Sequence, residues 1–272
     1  MQKTNMKTNI IPLHNNAMTY SFDPESAFNK IKDHWKNWDK NVHPERYVIG
    51  ISGGIDSTCV AALACKIFGK DKVVGVSLPC NGQSDMADVD KVFSHLGIKR
   101  ITIDIGDMFI DGLQKIENCA INLTDVCKIN MPARLRMTML YGIAQCIDGA
   151  VLNTCNRSES ILSNDTLFGD NCGSYAPIQS LTKTEVKQLG YWLKIPNDLI
   201  EKTPIDGLQP LNDEDRLGIK YIDVDRWLRY LSDENENYIL NLFFKGKFKL
   251  DMIHISGPKF EYPDKIKDLY GV

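Results

Sequence analysis

Residues 52–57 read SGGIDS, between the apolar run RYVIGI (46–51) and the periodic stretch STCVAALACKIF (57–68). Paired glycines between a strand-like and a helix-like segment suit a phosphate cradle. With no side chain in the way, the backbone N–H groups of Ser52, Gly53 and Gly54 can approach phosphate oxygens, and a following helix N-terminus adds partial positive charge. Ser57 can cap that helix or donate to a phosphate. The loop ends in Asp-Ser, where the commonest cradle has Lys-Ser or Lys-Thr. A carboxylate beside phosphates is repulsive unless a cation lies between them, and Mg²⁺ is the natural bridge. Asp56 therefore points to a metal-complexed pyrophosphate, and to cleavage between the α- and β-phosphates rather than γ-phosphoryl transfer. The plainer reading is a Ser-Gly turn whose Asp-Ser caps a helix.

A loop of this kind needs a strand before it and a helix after it, and the pattern supplies both. RYVIGI reads as a buried strand, and 57–68 as a helix burying Val60, Leu63, Ala64 and Ile67. KVVGVSLP (72–79) and RITIDI (100–105) are the next strands, separated by a helix with Ser84 as its N-cap. Asp85 and Asp88, at the start of that helix, read as dipole-favoured solvated acids. A longer helix over 131–147 places Pro132 in its first turn. The strand GAVLNT (149–154) follows, then a helix over 181–195 opened by a Thr182/Glu185 capping box. Lys183 lies at the start of that helix, where its charge opposes the dipole. Such a placement suggests a cation kept for phosphate charge in a transition state; the alternative is a solvated lysine.

Strand–helix alternation predicts an α/β fold: a doubly wound, mostly parallel sheet with helices on both faces. One domain over 1–272 is expected, with a core at about 45–230 and a C-terminal extension over 231–272. In that extension a helix followed by an irregular tail is the available reading.

The 272 residues are 43% hydrophobic, enough for a substantial core, and the net charge of −3 gives no footprint of a nucleic-acid binder. The N-terminus has no apolar stretch of signal-peptide length and no run approaches a membrane span. A soluble cytoplasmic protein is expected, with neither nucleic acid nor membrane as a partner. The eight cysteines are scattered without a CxxC pair and read as reduced core residues, neither a disulfide framework nor a zinc or iron–sulfur site.

SGGIDS after a first strand resembles the signature of the N-type ATP pyrophosphatases, or PP-loop enzymes, which implies an adenine nucleotide alpha hydrolase-like fold. Further stretches resemble the ammonia-dependent NAD synthetases within that superfamily: NMPARLRMTMLYGIAQ (130–145), LNTCNRSES (152–160), FGDNCGSYAPIQSLTKTEVKQLG (168–190) and EKTPIDGLQPLNDEDRLGIKYIDVDRWL (201–228). The resemblance implies ATP-dependent amidation of deamido-NAD by ammonia through an adenylated carboxylate, releasing AMP and pyrophosphate. It assigns ATP contacts to Gly50, Ser52, Gly53, Gly54, Asp56, Ser57, Thr154 and Lys183, and Mg²⁺ to Asp56 and Glu159. It gives catalytic roles to Asp56, Lys183 and Asp170, and the substrate to Asn130, Arg134, Ser174 and His254. A homodimer is implied too. From the residues alone, Glu159 could instead be a dipole-favoured helix-start acid and Asn130 a helix N-cap, while Arg136, two residues beyond Arg134, faces another way and reads as structural.

Departures cluster on the substrate side. Relative to the family pattern, Pro132 and Leu167 stand where lysines are usual, Ser174 where an acid is usual, and Ile205 where a serine or threonine is usual. Asn153 replaces a glycine, and Ile255 stands in for the lysine of a His-Lys pair. These changes raise an alternative acceptor carboxylate for the same chemistry. Further from the pattern lie a tRNA sulfur-transfer enzyme and a non-catalytic nucleotide-binding protein.

Overall fold

The computed structural model describes residues 20–81, 86–203, 212–251 and 263–270. Four strands, Arg46–Gly50 (β1), Val73–Ser77 (β2), Lys99–Thr102 (β3) and Gly149–Val151 (β4), form one parallel sheet in the order β3-β2-β1-β4. Before β1 stands the helix Pro24–Val42 (α1), and Ile55–Phe68 (α2) links β1 to β2. Met86–Leu96 (α3) precedes β3, and Gly106–Glu117 (α4) and Asp125–Cys146 (α5) lead into β4. After β4 come Arg157–Leu162 (α6), Lys183–Trp192 (α7), Asn197–Ile200 (α8), Asp213–Leu217 (α9), Tyr221–Leu228 (α10), Glu236–Gly246 (α11) and Lys265–Tyr270 (α12). Among the described residues no helix is long and apolar enough to cross a membrane.

Side chains alternate across a strand, and the two faces of the sheet bury different sets. Tyr47, Ile49 and Val73 join a core with α1, α2 and α7, whereas Val48, Val74 and Val76 pack with Met137, Leu140 and Ala144 of α5. This is the expected doubly wound arrangement, with runs that are apolar throughout because both faces are covered.

Several boundaries differ from expectation. Pairing ends at Thr102 and Val151, although Ile103 N and Leu152 N still donate to Ser77 O (3.0 Å) and Val48 O (2.9 Å). Ile67 is only partly buried. Ser57 is not a cap: Gly54 is the N-cap of α2, and Ser57 lies inside the helix. Thr124, whose hydroxyl accepts from Cys127 N at 3.2 Å, starts α5 six residues early, so Pro132 lies in the helix interior and Asn130 is not a cap. The first turn of α5 carries no buried apolar stripe to announce it. Helices α1 and α4 fall outside the elements read from the sequence. In the C-terminal region, Tyr221, Val224, Trp227 and Leu228 of α10 and Ile239 and Phe243 of α11 bury Ile161 and Leu162 of α6. Ser84, Asp85, Ile205, His254 and Ile255 lie outside the described residues.

Candidate active site

The strand order turns around between β1 and β4, because β1 leads to β2 on one side while β4 was added on the other. Ligands bind beyond the carboxyl ends of strands at such a point. Here the loop after β1 and the loop after β4 open into one cavity of about 450 Å³.

The first loop is folded by its own hydroxyls. Gly54 N donates to Ser52 Oγ (3.2 Å), Ser57 Oγ donates to Gly54 O (3.2 Å) and Thr58 Oγ1 to Gly54 O (2.7 Å). Gly53 adopts φ +79°, and a Cβ there would lie 3.0 Å from Asp88 Cβ, so both the backbone conformation and the packing against α3 require glycine. Asp56, in the first turn of α2, faces the cavity.

The second loop is organised by Asn156, which is fully buried. Its Oδ1 accepts from Glu159 N (3.0 Å) and its backbone N donates to Glu159 Oε2 (3.2 Å), a capping box that starts α6. Its Nδ2 reaches across to donate to Asp56 Oδ1 at 2.8 Å. One oxygen of Glu159 thus serves the cap, and the other accepts from Lys183 Nζ at 3.0 Å. Lys183 Nζ also donates to Asp56 Oδ2 at 2.5 Å.

Lys183 opens α7 after the N-cap Thr182, and the expected capping box with Glu185 is present. A buried carboxylate offsets the lysine's poor placement at a helix N-terminus. Asp225 of α10 accepts from Thr184 N (2.7 Å) and from Ser158 Oγ (2.5 Å), while Ser158 Oγ accepts from Lys183 N (2.9 Å). Burial raises the Asp225 carboxyl to about 6, against the hydrogen bonds from Ser158 and Thr184.

The charges in this centre are one ammonium and two carboxylates. Burial opposes protonation of Lys183, but Asp56 and then Glu159 hold its pKa well above the ordinary lysine value. Burial and then the Asp56 charge push Glu159 above the carboxylate range, although Lys183 pulls it back. The lysine stays charged, and the second carboxylate carries the cost of the excess negative charge, so the trio titrates as a unit. Oxygen donors with excess negative charge suit Mg²⁺, which is held through one or two carboxylates plus phosphate oxygens and water. Among the described residues no group of three or more His, Cys, Asp or Glu forms a self-sufficient metal cage. Asp56 and Glu159 therefore fit a metal that arrives with a nucleotide.

Thr154, Asn130 and Asp170 also line the cavity, as do Gly50, Ser52, Gly54 and Ser57. Asn130 Oδ1 accepts from Thr166 Oγ1 at 3.0 Å. Asp170 is exposed where it faces the cavity; the surrounding protein and then Asp165 raise its carboxyl to about 6, against hydrogen bonds from Thr166, whose N donates to Asp170 Oδ1 at 2.8 Å. Three assigned positions lie elsewhere: Gly53, which packs against α3, Arg134 and Ser174. Arg134 is outside the cavity wall and donates through Nε to Leu167 O at 3.2 Å, while Ser174 N donates to Val151 O at 2.7 Å. Arg136, read as structural, lines the cavity and donates to Leu78 O at 3.0 Å. Asn153, where the resemblance leads one to expect glycine, donates to the carbonyls of Asp170 and Cys172, both at 3.1 Å, and so shapes the loop that carries Asp170.

Arg216 and Lys249 also line the cavity, beside Asp213 and Asp165. Sequence reading missed these residues, and Asn156 with them. The Asn-x-x-Glu spacing of a capping box was the signal available for Asn156; Arg216 and Lys249 carry no local signal, since only packing of the C-terminal region brings them to the cleft.

Comparison with known proteins places this geometry in a family. The family described as NAD synthase matches residues 27–243. The NH(3)-dependent NAD(+) synthetase of Pyrococcus furiosus is 37% identical over 207 residues, covering 76% of this chain and 79% of the relative. Among solved structures, the NMN synthetase from Francisella tularensis superposes with a TM-score of 0.78 at 31% identity, over 85% of this chain and 98% of that one. The NH3-dependent NAD synthetase from Campylobacter jejuni gives 0.69 at 27% identity, over 86% and 99%. This chain belongs to the NAD synthase family.

Proposed function

We propose that this protein amidates deamido-NAD to NAD, using ATP and ammonia and releasing AMP and pyrophosphate. The observation that carries this is the convergence of Asp56, Glu159 and Lys183 at one cavity beside the SGGIDS loop. In this reading, the loop and Thr154 hold the phosphates, and Lys183 neutralises charge as pyrophosphate leaves. Mg²⁺ held by Asp56 and Glu159 would supply the remaining positive charge. Asp170 lines the same cavity, and in this reading its carboxylate, raised toward neutrality, takes the proton that the attacking ammonia gives up. Asn130 contributes to the same wall; the resemblance also assigns the substrate to Arg134, Ser174 and His254, of which Arg134 and Ser174 stand outside that wall. The proposed assembly is a homodimer acting on small molecules in the cytoplasm.

The test is incubation with Mg²⁺, ATP, ammonium and deamido-NAD, following AMP, pyrophosphate and NAD. Absence of NAD at saturating ammonia sinks the reading.

A second reading has its own support. The NMN synthetase superposes better on this chain than the Campylobacter NAD synthetase does, 0.78 against 0.69. The mononucleotide precursor of NMN is therefore the alternative acceptor, and supplying both acceptors in competition separates the two readings.

A further inference from the structure

Among the described residues, Arg136, Lys183, Lys202, Arg216 and Lys249 are the cationic side chains that line the cavity. Lys183, Arg216, Lys249 and Arg136 are bound to groups of the cavity or its wall. Lys183 holds Asp56 and Glu159, Arg216 donates to Asp213 (3.2 Å), Lys249 to Asp165 (2.9 Å) and Arg136 to Leu78 O (3.0 Å).

Lys202 is differently placed. It lies just beyond α8 and pairs with Asp88 at 2.9 Å, an acid of α3 that is not itself part of the cavity wall. Asp88 has a second cation, Lys91 at 3.4 Å, which also binds Asp198 at 2.8 Å. Asp88 also abuts the phosphate-type loop at Gly53. The Lys202 side chain is 18% exposed and that of Asp88 25%. The pair is partly buried but keeps contact with solvent, which limits its strength, whereas a lysine on a multiply charged phosphate makes a strong charge-assisted bond. If Lys202 leaves, Lys91 still neutralises Asp88, so no carboxylate is stranded.

We propose that Lys202 is a phosphate-binding residue held beside the loop by Asp88, and that it moves to the nucleotide phosphates when ATP enters. The inference rests on the ATP reading above. It assigns Asp88 a definite role: a competitor for the lysine that keeps it near the cavity before nucleotide arrives. A merely structural bridge, joining α3 to the segment after α8, would make Lys202 and Asp88 equivalent. The proposal makes them opposite in sign.

Titration calorimetry with Mg²⁺ and α,β-methylene-ATP, an analogue not cleaved between the α- and β-phosphates, tests this on the full chain. K202M is expected to weaken binding roughly ten-fold. D88N, which removes the competing carboxylate, is expected to leave binding unchanged or to tighten it by up to about five-fold. K202R keeps the charge and stays within about two-fold of wild type. Melting temperatures of all three report folding separately. If K202M and D88N both weaken binding, or K202M leaves it unchanged, the bridge is structural and the proposal falls with the ATP reading intact. If wild type does not bind the analogue at all, the ATP reading falls, and this proposal with it.

Discussion

Lys183 Nζ and Asp56 Oδ2 lie 2.5 Å apart although 127 positions separate them in the chain. The same ammonium holds Glu159 Oε1 at 3.0 Å. One cation thus ties together the helices that follow β1 and β4, at the point where the sheet order turns around.

The first prediction concerns the asymmetry of this centre. D56N keeps the shape and leaves a neutral Lys183–Glu159 pair, but its amide NH2 must face one of the two donors that Asp56 accepts from, Asn156 Nδ2 or Lys183 Nζ, so it should cost about 1–3 kcal/mol. If the proposed function holds, its pyrophosphate release should fall at least ~100-fold, because the carboxylate proposed to hold Mg²⁺ is lost. K183M strands two buried carboxylates and should cost on the order of 3–5 kcal/mol as well as activity. Denaturant unfolding beside a pyrophosphate assay distinguishes the two variants.

Asp225 should impose a pH dependence on stability. Burial raises its carboxyl in the folded state to about 6 from the ordinary 3.8. The folded protein therefore binds this proton more tightly, and the contribution of Asp225 to stability falls as pH rises from about 4 to about 6. The cost is fully present above that window, on the order of 3 kcal/mol. The difference between wild type and D225N in unfolding free energy, measured from pH 4 to 7, should carry that slope. Taking the difference removes the similar contribution of Asp170.

Asn153→Gly introduces the residue that the family resemblance leads one to expect at that position and serves as a test of the departure. It frees the carbonyls of Asp170 and Cys172 from two 3.1 Å hydrogen bonds. A loss of about 1–3 kcal/mol is expected, with a raised KM for the acceptor because the Asp170 loop loosens. Unchanged stability would mean that Asn153 does not organise the loop.

Helix α1 should prove part of the core. Trp35 is fully buried and stacks on Tyr175 with ring centroids 4.9 Å apart. Trp35→Ala should cost about 3–5 kcal/mol, read as a lowered midpoint of denaturant unfolding. Tyr175 directly follows the loop over 168–174, so this helix supports the site from behind.

How much of this was legible in the sequence depends on whether the signal is local. SGGIDS between an apolar strand and a helix is a contiguous arrangement, and the glycine loop between β1 and α2 was readable from it. The capping box at Thr182 and the apolar runs of β1 and β2 were equally local, and each appears in the fold. Helix α1 carried a readable period too, since Ala27, Ile31, Trp35 and Trp38 share one buried face. The start of α5 did not, because its first turns carry no buried apolar stripe.

The sequence by itself determined the chemistry available: a glycine loop with an aspartate, a capping glutamate, and a lysine at a costly helix start. Tertiary structure decided the meetings among them. Lys183 became the shared cation because Asp225 and Ser158 hold α7 against α6, a contact between residues 67 apart in sequence. Arg136 entered the cavity and Arg134 did not, because the packing of α5 on the sheet sets which side of the helix faces the cleft. Lys202 came to Asp88 only through the docking of the segment after α8 on α3. Such pairings depend on long-range packing, and no spacing within a single stretch of chain encodes them.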